Sequence, residues 1–247
     1  TLTNGGAAAD KGAAVELIAS TPFTSGGILV SWARSSGGNT QHLIDIMAGS
    51  STEQVIIPNL LCRLNDNETM DRYFFSLWIP KGTRLSARSS GIVGSATVQC
   101  QITLFSMPHD AMPVAGKVSA YGVITSSLQR GTNVDPGASA NTKNTPVQIA
   151  AATDTFHKEL TLSVHGLDTA IAVDCSWLVD VLIGASSAEI PLVSNLLFTA
   201  GSSFDYPVPQ ITRLPIAVPK GSRLSVSAQC SVDTDNDRDL YVALYGC

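Results

Sequence analysis

The stretch IPKGTRLSAR at positions 79–88 returns as VPKGSRLSVS at 218–227, with Pro80 and Pro219 139 positions apart. A string of this length, repeated nearly intact inside one chain, constrains the fold more than any single residue type. The matches continue on both sides and in the same order. TN at 3–4 matches TN at 132–133, VELIASTPF (15–23) matches VQIAAATDTF (147–156), and IDIMAGSSTEQVIIPNLL (44–61) matches VDVLIGASSAEIPLVSNLL (179–197). QCQITLF (99–105) matches DLYVALY (239–245). The offset grows from 129 at Thr3/Thr132 to 135 at Asp45/Asp180 and 140 at Phe105/Tyr245, so only short gaps separate the copies. A period above about 100 residues is too long for a solenoid and predicts two copies of a whole domain.

Between the copies lies SMPHDAMPVAGKVSAYGVITSSLQRG (106–131), punctuated by two Met-Pro pairs and a Gly. Pro and Gly at this density mark a boundary. The predicted division is a first repeat over 1–106, a connector over 107–131 with one strand at VSAYGVIT, and a second repeat over 132–247.

Inside each copy the hydrophobic period is two, the strand period. Thr83, Leu85 and Ala87 share one face while Arg84, Ser86 and Arg88 share the other; Leu224, Val226, Ala228 and Cys230 alternate in the same way with Arg223, Ser225, Ser227 and Gln229. Val98, Cys100, Ile102 and Leu104 form another inner face, as do Ile171, Val173, Cys175, Trp177, Val179, Val181 and Ile183. One buried and one wet face per strand is the signature of antiparallel sheets. No segment carries a helical stripe over three turns. The fold class read from this pattern is all-β, two tandem antiparallel β-sandwich domains, jelly-roll-like, arising from an internal duplication. A hydrophobic share of 44% with only 14% charged residues suits such a protein with a neutral polar surface. Within the repeated string, Ile79-Pro80-Lys81-Gly82 reads as a type I turn that launches a half-buried strand, with Arg84 and its counterpart Arg223 on the wet face.

A net charge of −5 offers no electrostatic footprint for nucleic acid, so no such partner is expected. No stretch reaches the ~18 apolar residues of a membrane helix; the most apolar run, IAVDCSWLVDVLIG, is interrupted by Asp174 and Asp180. The opening TLTNGGAAADKG lacks the basic and apolar regions of a secretory signal, which predicts synthesis without export. Residues this rich in Gly and Ala fray unless tied down. Their ordering is expected to come from packing against neighbouring subunits.

Asp45 and Asp180 stand mid-strand, where a carboxylate is disfavoured; the expectation is a fold-building Asp on the outer face, paired across the sheet with Arg84 or Arg223. DTDNDRD at 233–239 resembles the start of a calcium loop, but Arg238 stands where Gly is needed and Leu244 where the bidentate Glu belongs. It reads as a solvated hairpin turn. Trp32 and Trp177 fall on apolar faces and are expected in the core, which leaves Trp78 as the exposed aromatic. His42, His109, His157 and His165 show neither HxH nor HExxH spacing. Cys62, Cys100, Cys175, Cys230 and Cys247 are odd in number and lack CxxC spacing, against both a disulfide framework and a zinc site. They read as core thiols, except Cys247, which is expected to be reactive or to pair between chains. No catalytic, cofactor-binding or metal-binding residue is assigned, and no enzymatic activity is expected. The residues singled out are structural: Pro80, Gly82, Arg84, Pro219, Gly221, Arg223, Asp45 and Asp180.

The set ANTKNTPVQIAAATDTF, DVLIGASSAEIPLVSNLL, LPIAVPKGSRLSVSAQCS and LYVALYG resembles a repeat module of the structural proteins of tailed bacteriophages. The resemblance covers both copies. It implies a non-enzymatic virion protein made in the host cytoplasm, with the major capsid protein or tail proteins as partners, and a homo-oligomer. A capsid decoration or cement protein is the leading expectation, followed by a tail, baseplate or fibre-anchoring component. A carbohydrate-binding module for host-surface recognition is the rival from another class, and requires Trp78 at the surface.

Overall fold

The computed structural model describes residues 1–35, 40–50, 52–64, 71–106, 115–126, 128–136, 139–165, 175–200, 210–232 and 239–247. Every regular element among them is a strand. By internal packing the chain divides into unit 1, Thr1–Arg130 with Tyr245–Cys247, and unit 2, Gly131–Leu244.

Unit 1 is built from β1 (Leu2–Thr3), β2 (Val15–Ile18), β3 (Ser25–Ser35), β4 (Thr40–Ala48), β5 (Gln54–Leu64), β6 (Asp71–Phe75), β7 (Leu85–Gly91) and β8 (Thr97–Ser106). The connector adds β9 (Ser119–Tyr121) and β10 (Val123–Ile124). Two short strands thus stand where one was expected, split at Gly122; residues 107–114 of the connector lie outside the described set. β1 pairs β8, β2 pairs β7, β3 pairs β6 and β4 pairs β5, all antiparallel. Nested pairing of first with last, second with seventh and so inward is a long hairpin rolled up on itself, the jelly roll. It yields two four-stranded sheets of order β1-β8-β3-β6 and β2-β7-β4-β5.

Unit 2 contains β11 (Arg130–Val134), β12 (Val147–Ala150), β13 (Leu160–His165), β14 (Cys175–Ile183), β15 (Ile190–Ala200), β16 (Gln210–Leu214), β17 (Leu224–Cys230) and β18 (Leu240–Gly246). The nested pairing recurs: β11 with β18, β12 with β17, β13 with β16, β14 with β15. One sheet runs β12-β17-β14-β15 and the other contains β11-β18-β13-β16 in that order.

The period-two faces become the cores. In unit 1, Ile28, Val30 and Trp32 of β3 are buried with Tyr73 and Phe75 of β6. The Tyr73 ring lies 5.0 Å from Trp32, and its hydroxyl crosses to the other sheet to donate to the Leu61 carbonyl at 3.0 Å. In unit 2, Trp177, Val179 and Val181 of β14 and Leu224, Val226, Ala228 and Cys230 of β17 are buried; Ile171 and Val173, expected on the same face, lie outside the described residues. Each large apolar side chain removed from water contributes roughly 1.5–3 kcal/mol, enough to dictate which face turns inward. β8 is the shallower case: Val98 is buried but Cys100, Ile102 and Leu104 are only half-buried.

Three local expectations are corrected. The repeated motif forms its turn one residue later than expected: the Thr83 N–H donates to the Pro80 carbonyl at 3.3 Å, and Gly82 at the third position has φ +83°. That is type II geometry, which demands a residue tolerant of positive φ at the third position. Ser222 closes on Pro219 with Gly221 at φ +81° in the same way. The strands after the motif do not have a wet face, since both sides of β7 and β17 are buried and Ser86, Ser89, Ser90, Ser225 and Ser227 lie inside. The amino-terminal segment is tied down within its own unit, so its order does not require neighbouring subunits. The Gly12 and Ala9 N–H groups donate to the Ser89 and Gly91 carbonyls at 2.8 and 2.9 Å, extending the edge of β7 beyond β2. Glycine is required at position 12 because a Cβ there would sit 1.8 Å from the Thr3 carbonyl oxygen.

Candidate functional site

The motif residues turn out to be fastened from below. Thr21 Oγ1 donates to the Pro80 carbonyl at 2.7 Å and accepts the Thr83 N–H at 3.0 Å, while its carbonyl accepts the Gly82 N–H at 2.9 Å. Thr153 repeats all three contacts on Pro219, Ser222 and Gly221 at 2.7, 3.0 and 2.9 Å. Both threonines are buried. A buried hydroxyl must find partners, and here the turn backbone supplies them.

Arg84 and Arg223 stay within their own sheets. Arg84 Nε donates to Glu16 Oε2 at 2.8 Å and Nη1 to Glu53 Oε1; Glu53 also accepts the Ser86 hydroxyl. Arg223 Nη1 donates to Glu189 Oε1 at 2.6 Å and Nε to Gln148 Oε1 at 3.0 Å. The hydrogen bond to Glu16 is the main cause that raises the Arg84 pKa. The Glu189 backbone N–H, followed by Arg223, holds the Glu189 carboxyl below its usual range. Each arginine therefore staples the loop between two strands to the neighbouring strand pair. Glu53 and Glu189 were not singled out from sequence, although each precedes the matched strand in its copy.

Asp45 and Asp180 do not pair with these arginines. Across the sheet, Asp45 stands opposite Arg88, and Asp180 opposite Ser227. Asp45 Oδ1 accepts from Lys11 Nζ at 3.0 Å and from the Asn59 N–H at 2.8 Å, and Oδ2 from Arg88 Nε at 2.9 Å. Asp180 Oδ1 accepts from Lys143 Nζ at 2.6 Å and from the Asn195 N–H at 2.7 Å. The reason lies in the partner strand. Between Ile44/Leu60 and Ile46/Ile57 the register slips, and again between Val179/Leu196 and Val181/Val193. Each slip is a β-bulge that leaves one N–H without a ladder partner. The bulged residue is Asn59 at φ +48° or Asn195 at φ +57°, a conformation Asn tolerates. The carboxylate accepts the stranded N–H, and the lysine neutralises the carboxylate. Burial lowers the Lys11 pKa, against the attraction of Asp45. A shallow depression over this cluster is also lined by Pro58, Ser90 and Lys117. Its carboxylate is already taken up by these contacts.

The other titratable groups are placed as structural parts. His42 is buried, and its Nδ1 lies 3.1 Å from Asn4 Oδ1, an acceptor, so the proton belongs on Nδ1. Burial lowers its pKa to about 4. His157 is buried as well, with Nε2 3.5 Å from Asp154, and burial lowers its pKa. His109 and the acidic run at 233–238 lie outside the described residues, as does the His165 side chain. All five cysteines are free thiols; Cys247, expected to be reactive, is buried, and Cys100 is half-buried with its pKa pushed up to about 12 by burial. Among the described residues no group of three or more His, Cys, Asp or Glu is arranged to hold a metal ion. Trp32 and Trp177 are buried as expected, and Trp78 is 53% exposed.

No family model and no curated protein matches the chain. Solved structures that are similar to it include the CBM22-1-CBM22-2 tandem domain of Paenibacillus barcinonensis Xyn10C, at 13% identity and a TM-score of 0.27, covering 99% of this chain and 85% of that one. The infectious bursal disease virus Gt strain structure is similar at 11% identity and a TM-score of 0.28, over 93% of this chain and 58% of the other. A fucolectin from striped bass serum follows at 11% identity and a TM-score of 0.20, over 95% and 85%. Likenesses this loose carry no statement about binding or assembly.

One exposed strand edge is uncharged. β15 is the edge strand of its sheet, eleven residues long and without a charged side chain. Ile190 and Leu197 on it are each 63% exposed. Natural edges are usually short, charged or covered, and β15 is none of these among the described residues.

Proposed function

We propose that the protein is a non-enzymatic structural component of a bacteriophage virion, a capsid decoration or cement protein that binds neighbouring capsid subunits. The observation that carries this reading is the distribution of polarity. The motif arginines and the mid-strand aspartates are taken up in holding strands together, whereas the open edge at β15 is uncharged and apolar. Such an edge suits contact with another protein surface. The resemblance of both copies to a module of tailed-phage structural proteins points the same way. Eight-stranded jelly rolls recur in viral capsid and lectin domains, and fold alone does not assign the role. We read the repeats 1–106 and 132–247 as copies of one ancestral domain. Linking two such modules lets weak contacts on adjacent subunits add through effective concentration. Nucleic acid and membrane are not partners in this reading.

Electron microscopy of the intact particle tests it. Density on the capsid lattice at high copy number is expected. A few copies at the portal or tail would transfer the protein to a tail, baseplate or fibre-anchoring role, and absence from the particle would overturn the proposal.

Trp78 favours a second reading, carbohydrate binding, because an exposed indole is a stacking platform for sugar. Its counterpart in the second copy is Ala217, so the platform is not repeated. Titration with host-surface glycans while following tryptophan fluorescence decides the matter. A saturable change abolished by Trp78→Ala supports sugar binding, and an unresponsive Trp78 removes it.

A further inference from the structure

One pair of matched positions on the outer strands differs in exposure between the two units. Leu61 on β5 is 2% exposed, and its counterpart Leu197 on β15 is 63% exposed. Both strands are the last in their sheets. The difference lies in what covers them. In unit 1 the Tyr245 hydroxyl accepts the Leu61 N–H at 2.8 Å and donates to the Asn59 carbonyl at 2.9 Å. The Tyr245 ring stacks edge-on against Tyr73 at 5.3 Å, and the Val118 N–H donates to the Ile56 carbonyl at 2.8 Å. The outer edge of β5 is thus closed by one aromatic residue and one connector strand. On β15 no bond equivalent to those of Tyr245 and Val118 is made to the Leu197 N–H or to the Asn195 and Leu192 carbonyls among the described residues.

The repeat names the missing piece. The counterpart of Tyr245 is Phe105, near the end of β8, and Phe105 is 42% exposed. It touches only one described aromatic, Phe74, edge-on at 5.6 Å. β1 pairs β8 only at Thr97 and Val98, so among the described residues no strand pairs with β8 around Phe105 on that side. β8 and β15 both lack charged residues, so in a chain of net charge −5 these are surfaces that approach each other without repulsion. We propose that the open edge of β15 is a docking site for a second copy of this chain, whose Phe105 ring packs at Leu197 in the place that Tyr245 takes at Leu61; lacking a hydroxyl, Phe105 supplies the apolar contact there and neither of the two hydrogen bonds of Tyr245. Phe105 and β15 are different surfaces, so the contact is head-to-tail and propagates to a ring or a filament. It does not depend on the virion reading; a protein found outside any particle would still self-associate in this way.

The test uses the full chain and two variants, Leu197→Asp and Phe105→Ala, in sedimentation velocity over a wide concentration range. Both side chains are exposed, so unchanged circular dichroism and melting temperature serve as the folding control. Wild type is expected as an oligomer, and each variant as a monomer with self-association weakened at least about tenfold. Mixing the two variants supplies one intact β15 and one intact Phe105, and must restore a heterodimer that goes no further. A photocrosslinker placed at position 105 must label the peptide containing Ile190–Ala200 of another chain. A wild type that stays monomeric, an oligomer that survives both substitutions, mixed variants that fail to pair, or a crosslink to another segment would each overturn the proposal.

Discussion

The Asp45 carboxylate lies 2.8 Å from the backbone N–H of Asn59, the residue that breaks the register of its strand. A mid-strand acid, which elsewhere would weaken a sheet, here supplies the acceptor that the bulge removed. Asp180 does the same for Asn195 at 2.7 Å. The carboxylate and the bulge are therefore one device, present in both units.

Removing that acceptor leaves both a backbone donor and a half-buried ammonium without it. Asp45 is 3% exposed and holds two cations, so Asp45→Ala is expected to cost about 3 kcal/mol. Asp180 holds one cation and is less deeply buried, so Asp180→Ala should cost roughly 1–2 kcal/mol. Urea denaturation of the two variants measures the difference; equal and negligible losses would count against the bulge-capping role.

The turn glycines are needed for conformation and not for space. A Cβ at Gly82 or Gly221 would meet nothing within 4 Å, but both have φ near +80°, at +83° and +81°. Alanine at either position should cost roughly 1–2 kcal/mol through the strained backbone. Gly116, equally open and without positive φ, is the control: Gly116→Ala should be neutral or slightly stabilising. Thr153→Val should also destabilise, because the Ser222 N–H loses the nearer of its two acceptors, at 3.0 Å, and keeps only the Pro219 carbonyl at 3.4 Å.

Burial lowers the His42 pKa from 6.5 to about 4. Between those values the unfolded chain binds a proton at this imidazole that the folded chain refuses. Stability therefore falls as pH drops from 6.5 to 4 and is flat for this group above that window, by about 3 kcal/mol in total. His157 acts in the same direction. Urea midpoints across this range should slope for the native chain and slope less for His42→Gln; identical slopes would show that the imidazole does not titrate as stated.

Thiol labelling should be slow in the folded protein. Cys62, Cys175, Cys230 and Cys247 are buried, and burial raises the Cys100 pKa to about 12, which suppresses its thiolate. A chromogenic disulfide at pH 8 is expected to titrate few groups in the native state and all five in denaturant. Rapid native labelling at Cys247 would restore the reactive terminus expected from its position in sequence.

The strands were legible because alternation is local: Trp32, Trp177, Leu224, Val226 and Ala228 could be placed inside from their neighbours alone. The Pro-x-Gly turns were legible for the same reason, although the type depended on whether Gly stood third or fourth. The partners of Asp45 were not. Period two assigns a face, but Arg88 rather than Arg84 stands opposite Asp45 because of the pairing register between β4 and β7, and Lys11 reaches it from a segment 34 positions away. Ser86 read as wet because it alternates with Leu85 and Ala87; the Glu53 carboxylate that accepts its hydroxyl comes from a distant loop and leaves no periodic trace. Glu53, Glu189, Thr21 and Thr153 were within reach, since each is repeated at a matched position.

Sequence alone determined that the chain is all-β, where its strands alternate, and which strings recur, because backbone geometry imposes period two on neighbouring residues whatever lies farther off. Tertiary structure alone decided which of the eight strands in each unit pair with which, that the motif arginines stay within their own sheets, and that Leu61 is covered while Leu197 is not. Those outcomes depend on which distant segments come to lie beside each strand, and two nearly identical strings carry no record of that.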